Sequence, residues 1–338
     1  MASADVAKWR FETVPEDEDG SRLDRFLRRL IPGLGQGQIE KMLRNGLIRI
    51  DGAKAKSASR IAMGQTIRLP LSIDALASSK SAASVATTKT LAAPTIGSNI
   101  GGAPLQKTFD DMVIGEGKGW IALNKPSGLA VQGGTGTKQH VDGMLAALAA
   151  RGGERMRLVH RIDKDTSGVL LLAKNLGSAR SLTDAFQKHV IEKTYLALCM
   201  GLPPEDGAIK QAISKLPGKT GERMVADDDG QSAHTLFHRI DHAGRKLTLM
   251  ALRPLTGRTH QLRIHMALIG HVICGDGKYG GVDAHPGGMV ARQLHLHAWQ
   301  VKLPDGKLVT APPSPHMVAS LDALGLSMPP KGWRFQDF

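Results

Sequence analysis

The chain has 338 residues, enough for two modest domains or one large domain with an appendage, and 41% of them are hydrophobic, enough for a core of ordinary size. No apolar run approaches the ~20 residues that a membrane helix needs, and the stretch MASADVAKWRFETVPEDEDG holds no apolar signal segment, so a soluble, cytoplasmic protein with no membrane partner is expected. Lys and Arg total 44 against 31 acids, a net charge of +13, which favours a polyanionic partner through counterion release without telling DNA from RNA.

The charge is concentrated near the start. Between Ser21 and Pro70 there are 11 basic and 3 acidic residues. In RLDRFLRRLI, Leu23, Phe26, Leu27 and Leu30 fall at helical spacing while Arg22, Arg25, Arg28 and Arg29 occupy other positions around the helix. Pro32 and Gly33 end it. A second short helix from about Gln36 to Arg44 turns Ile39, Met42 and Leu43 inward and stops at Asn45-Gly46. LIRI then reads as a strand, Asp51-Gly52 as a tight turn and GQTIRL as a returning strand. The prediction is a compact module over 9–72, two basic helices and a β-ribbon with a cationic side.

From 73 to 108 the composition shifts. ALASSKSAASVATTKTLAAPTIGSNIGGAP has no acid, no aromatic residue and no sustained period, and it is expected to be a flexible or loosely packed linker. From Phe109 to about residue 326 strands are expected at GWIALNK, GVLLLAK, KTYLALC, KLTLMALRPL and LHLHAWQVKL, with helices around Val141–Ala150 and Ser178–Lys188. Their spacing is too irregular for a βαβ repeat. The fold class expected is α+β, a mixed, largely antiparallel sheet flanked by helices, with the small N-terminal module beside it.

The chemistry centres on LVHRIDKDTSGVLLLAK, Leu158–Lys174, where an apolar strand follows a polar turn holding two carboxylates, a hydroxyl pair and Gly168. Reactive side chains are commonly presented on such a loop at the end of a core strand. Asp163 or Asp165 could equally cap its own turn, and the residues alone leave both readings open.

HRIDKDTSG is similar to the signature of the RluA-type pseudouridine synthases, His-Arg-Leu-Asp followed by Thr-Ser-Gly, with Ile162 in place of the usual Leu. LNKPSGLAVQGG, EKTYLAL, PLTGRTHQLRIH and LHLHA follow in the family's order, so the resemblance covers about 220 residues, and the N-terminal module resembles the alpha-L RNA-binding motif on SRLDRFLRRL, IEKMLRNGLIRIDG and GQTIRL. The resemblance implies isomerisation of specific uridines to pseudouridine in large-subunit ribosomal RNA by a monomer that uses no cofactor. It implies that Asp163 is the catalytic carboxylate and Asp165 a structural neighbour. Arg161 would fill the space vacated by the flipped base, Tyr195 would stack on it, and Arg263 would keep the carboxylate ionised; Arg258 is the second candidate for that role or else a contact to phosphate or the flipped nucleotide. Leu296 would form an apolar wall.

Three other readings compete. Without catalysis the chain would be an RNA-binding or ribosome-assembly factor, which loss of the Asp or the Tyr would favour; both are present. The pairs His260/His265 and His295/His297 raise a metallohydrolase, but there is no HExxH and acids near them are few, so no metal is expected. The glycine-rich GQGQ and GGTGT stretches lack the context of a nucleotide-binding loop. The two cysteines, Cys199 and Cys274, form no CxxC pattern, which excludes a thiolate zinc knuckle or disulfide scaffold; both read as small buried apolar residues of a reduced compartment.

Overall fold

The structure is a computed structural model that describes residues 9–74, 103–133, 139–152, 155–216 and 223–335. Its first module opens with strand β1 (Trp9–Thr13), which the apolar pattern did not reveal because none of its five residues is buried. Helices α1 (Leu23–Leu30) and α2 (Gln36–Arg44) follow, then strands β2 (Arg49–Ile50), β3 (Ala53–Lys54) and β4 (Thr66–Pro70). Asp51 and Gly52 both take positive φ, 47° and 78°, the backbone that a two-residue hairpin needs to match strand twist. The four strands pair antiparallel in the order β1-β4-β2-β3. Leu23, Leu27, Ile39, Ile48, Ile67 and Leu69 close the core, and fully buried Ile73 still belongs to it.

The arginines of α1 depart from the expected cationic side. Arg22 pairs with Asp24, Arg29 pairs with Glu18, and Arg25 is buried on Asp241 of the second module. Only Arg28 of the four has no ion pair among the described residues. Two of these pairs lie within the first module and one crosses to the second, so most of the helix's charge is answered internally rather than displayed.

The second module begins at α3 (Ala103–Asp110), whose Leu105 and Phe109 are buried. The linker expected over 73–108 therefore ends in an ordered helix, while 75–102 lies outside the described residues. There follow β5 (Val113–Glu116), β6 (Trp120–Lys125), α4 (Val141–Ala149), β7 (Arg157–Leu158), β8 (Ser167–Ala173), α5 (Leu176–Gln187), β9 (Glu192–Met200) and β10 (Asp206–Lys210). The remaining elements are the hairpin β11 (Ile213–Leu216) and β12 (Arg223–Ala226), then β13 (His234–Ala243), β14 (Leu247–Pro254), α6 (Gln261–Leu268), β15 (Leu296–Lys302), β16 (Leu308–Thr310) and α7 (Pro315–Leu324).

A ten-stranded sheet runs β10-β13-β14-β9-β15-β8-β6-β5, with β16 on β15 and β7 on β8. Every pair is antiparallel except β15 with β8, so the mixed, largely antiparallel sheet expected from sequence is present. All seven residues of β8 are buried because both faces are covered. Leu170 and Leu172 face α3 and α4, and Val169 and Leu171 face α5. At the next strands Leu196 and Leu249 face α7, whereas Ala197 and Met250 face α6. This double cover fixes the loop that leads into β8 and the start of α6, and the cleft lies between them.

The modules touch through polar contacts. Arg25 reaches Asp241 and donates to Ser327 Oγ at 2.8 Å, Arg29 donates to the Leu324 carbonyl at 2.8 Å, and the Arg245 amide donates to the Asp17 carbonyl at 2.7 Å. Gly244, at φ 57°, lies against that carbonyl where a Cβ has no room. Both cysteines are buried and unpaired, and burial pushes the Cys274 thiol up to about 12, so they behave as the apolar residues expected. No helix among the described residues is long and apolar enough to cross a membrane.

Candidate active site

Asp163 stands on the loop between β7 and β8. Its carboxylate is 21% exposed and accepts no hydrogen bond among the described residues; the turn is closed instead by the Thr166 amide donating to the Asp163 backbone carbonyl at 3.2 Å. Asp165 is exposed and likewise accepts nothing at its carboxylate. The capping reading therefore has no contact behind it for either acid.

The loop is held from three sides. His160 Nε2 accepts the Leu171 amide of β8 at 2.8 Å, just past the last β7–β8 pair, and the ring stacks on Phe186 of α5 with centroids 4.3 Å apart. Accepting at Nε2 requires the neutral ring, and burial, with Lys193 adding to it, holds His160 down at about 3. From the other side the Lys125-Pro126-Ser127-Gly128 turn grips the loop's backbone. Fully buried Lys125 donates to the carbonyls of Pro126, Leu129 and Lys164, Gly128 N donates to Lys164 O, and Ser127 Oγ to Asp165 O. Burial pulls Lys125 down to about 7, opposed by the charges of Asp165 and Asp163. Three carbonyl acceptors around one Nζ demand the three donors of an ammonium, so the charged form is the one this geometry fits. Finally Gly168, at φ 110°, lets β8 pass β15, where a Cβ would strike the Ala298 backbone.

Arg263 comes from α6. It is 7% exposed and forms a two-pronged pair with Asp276, itself 1% exposed, through Nε–Oδ2 at 2.8 Å and Nη2–Oδ1 at 2.7 Å. Its remaining Nη1 faces Asp163 Oδ2 at 3.8 Å. His260, just before α6, approaches the same oxygen with Nε2 at 3.9 Å. The TGRTHQ turn is organised by Gln261, whose Oε1 accepts from Thr256 Oγ1 and the Arg258 amide while its Nε2 donates to His234 O and Thr235 Oγ1. That places Arg258 on the rim, exposed, its Nε donating to Ser232 O at 3.1 Å.

These groups line one cleft of about 610 Å³, a volume that suits a nucleotide-sized ligand. Asp163, Arg161, Tyr195, Arg258, Arg263 and Leu296, the six residues singled out from sequence, all line it. Arg161 is exposed and without an intramolecular polar partner among the described residues. Tyr195, on β9, is half-buried, and burial followed by the charge of Asp163 raises its phenol. Leu296 is 3% exposed at the start of β15.

Sequence reasoning gave no role to Lys125, His160, Lys193, Asp276 or Tyr279. Lys193 lines the cleft beside Tyr195, with its pKa lowered by burial. Asp276 and Tyr279 lie in GDGKYG, whose glycines were the only local signal and named no chemistry. The histidine pairs do not converge: His265 bonds Thr235 and Gln211, His295 bonds Ser320, and His297 bonds Ser167 and Ala311. Among the described residues no three His, Cys, Asp or Glu side chains come together as a metal would need.

A family model described as RNA pseudouridylate synthase matches residues 119–268. Ribosomal large subunit pseudouridine synthase C of Rickettsia bellii (strain RML369-C) is 37% identical over 287 residues, 84% of this chain and 89% of that protein. The protein of the same name from Haemophilus ducreyi (strain 35000HP / ATCC 700724) is 32% identical over 327 residues, 94% of this chain and 96% of its own. Among solved structures, Human RNA Pseudouridylate Synthase Domain Containing 4 superposes with a TM-score of 0.58 at 27% identity, covering 67% of this chain and 97% of that one.

Proposed function

From the premise that the chain belongs to the RNA pseudouridylate synthase family, and so is an isomerase, we propose that it converts specific uridines of large-subunit ribosomal RNA to pseudouridine with Asp163 as the catalytic group. The relatives' names supply the RNA. The observation that carries the catalytic assignment is a carboxylate left without a hydrogen bond, inside a nucleotide-sized cleft, with Arg263 and His260 on one of its oxygens. A carboxylate with no donor of its own keeps its lone pairs for the substrate.

The reaction breaks the N1–C1′ bond, rotates the detached uracil and joins C5 to C1′. All atoms of product come from substrate, so no oxidant or co-substrate is required and no cofactor enters the proposal. Asp163 serves either as nucleophile or as the base that takes the C2′ proton, and both roles need the ionised carboxylate that the Arg263 charge favours. The uridine must leave its stack, at a cost of a few kcal/mol in a duplex. Arg161, exposed and unengaged, fills the vacated space; Tyr195 stacks on the uracil, Leu296 walls it, and Arg258 on the rim takes a phosphate. The division into a docking module over 9–73, a linker that ends at α3 (Ala103–Asp110) and a catalytic domain onward to 326, working as a monomer in the cytoplasm, belongs to the same reading.

The test maps pseudouridines on ribosomal RNA from cells lacking the gene, complemented with the wild-type chain or Asp163→Asn. Sites should vanish on deletion and return only with the wild type. Equal restoration by Asp163→Asn overturns the assignment.

A further inference from the structure

The strongest unexplained feature of the cleft is the backbone of His260. It takes φ 56° and ψ 15°, a left-handed conformation that costs a side chain with a Cβ and that tends to persist where the surroundings impose it. Its ring has a defined neighbour on each side. Nδ1 lies 2.6 Å from the hydroxyl of Tyr279, and the rings meet edge-on at 5.5 Å. Nε2 lies 3.9 Å from Asp163 Oδ2.

The direction of these bonds can be read from donors and acceptors. The Tyr279 oxygen accepts the Met224 amide at 3.4 Å, so its own proton is available for His260 Nδ1. A ring that accepts at Nδ1 carries its proton at Nε2. That nitrogen is the one 3.9 Å from the carboxylate. Tyr279 is in turn fixed by Asp276: Oδ1 accepts the amides of Lys278 and Tyr279 at 3.2 Å and 3.3 Å, and the same carboxylate holds Arg263. The Arg263 guanidinium also lies 5.1 Å over the Tyr279 ring.

We propose that Tyr279 and His260 are a positioning pair for the catalytic carboxylate. Tyr279 sets the imidazole tautomer, and the Nε2–H of His260, together with Arg263, addresses Oδ2 of Asp163. Both approaches are to that one oxygen, which leaves Oδ1 turned to the ribose. Neither donor is within hydrogen-bond range before substrate enters, so both steer the carboxylate by charge and orientation without occupying its lone pairs. The proposal rests on the assignment of Asp163 above.

The experiment uses the full chain and an unmodified transcript of large-subunit ribosomal RNA, with pseudouridine formation followed under single-turnover conditions and RNA affinity measured separately. Tyr279→Phe keeps the ring and removes only the hydroxyl. It should slow the single-turnover rate about tenfold, the scale of one orienting hydrogen bond, with RNA affinity unchanged. His260→Asn should cost at least as much even though Asn accepts a left-handed backbone readily, which separates the ring from the turn it closes. The double variant should be no slower than His260→Asn alone, because the hydroxyl acts only through the imidazole. In nitrogen-15 spectra the His260 signal, identified by its loss in His260→Asn, should report an unprotonated Nδ1 in the wild type and a tautomer mixture in Tyr279→Phe.

A Tyr279→Phe rate within twofold of wild type overturns the proposal. So does a loss matched by weaker RNA binding, or a wild-type rate in His260→Asn. Asp163→Asn run alongside keeps the two readings apart: if it stays active the catalytic assignment fails, and if it is dead while both positioning variants are unimpaired, only the positioning pair fails.

Discussion

Arg25 at the junction of the modules and Arg263 in the cleft are equally buried, each 7% exposed, and each grips one buried aspartate. Their surplus donors differ. Arg25 spends its other nitrogen on Ser327 Oγ, and its partner Asp241 also accepts the amides of His242 and Ser327, so every charge there is answered. Arg263 keeps Nη1 turned toward Asp163 at 3.8 Å, with His260 Nε2 at 3.9 Å, and the carboxylate accepts no hydrogen bond among the described residues. The junction is a finished polar network, and the cleft is the same chemistry left one partner short. A charge fully satisfied holds a structure together; a charge left incomplete is available to a substrate.

The largest effect expected to test this contrast is Asp276→Ala. It strands the buried Arg263 guanidinium, and removing one partner of a buried pair costs about 3–5 kcal/mol. Urea denaturation should report a loss of that order along with near-complete loss of pseudouridine formation; a loss under ~1 kcal/mol would break the parallel between the two arginines. Asp241→Ala should cost less, about 1–3 kcal/mol, because the first module can move off and let Arg25 meet water. Limited proteolysis should then cut between the modules, while single-turnover chemistry at saturating RNA stays within about threefold, roughly the effect of a lost surface contact.

An intermediate effect concerns pH. Burial holds His160 at about 3 and His295 and His297 at about 4, all below the ordinary value of histidine. These rings are neutral in the folded chain and take up protons when it unfolds, so the stability they support is complete above about pH 6.5. It declines as pH falls toward 4, the direction opposite to that of a histidine held charged. Thermal denaturation between pH 7 and 4 should show the decline, and His297→Gln should flatten it; an unchanged slope would mean that folding does not lower the pKa of this ring.

The smallest expected effect is at the surface. Lys41, Arg44 and Lys54 are exposed on the first module and have no ion pair among the described residues. Replacing any one by Gln should lower the slope of log K against log salt by about 0.7–0.9, whereas Arg25→Gln should leave the slope alone. A drop with Arg25→Gln would return α1 to the RNA-binding face.

Much of this was legible along the chain. The helices of the first module, the Asp51-Gly52 turn and the central strands follow from apolar periodicity and turn chemistry. Strands β10 and β13 were not, since His238, Arg239 and Asp241 interrupt the alternation of β13, and β10 is five residues long with only Ile209 buried. Nor was α7, which lies behind the Pro-rich APPSP stretch.

The sequence by itself determined the helices of the first module, the central strands and which loop carries the polar motif, because propensity, period and turn residues act over a few neighbours. Tertiary structure decided what each charge is for. Arg25 and Arg28 look alike in RLDRFLRRL, yet one is buried on Asp241, 216 residues away, and the other is not. Asp163 and Asp165 look alike in the loop, yet of the two only Asp163 has Arg263 and His260 within 4 Å of its carboxylate. A charge's role depends on its desolvation and on its nearest opposite, and packing supplies both from parts of the chain that sequence order keeps far apart.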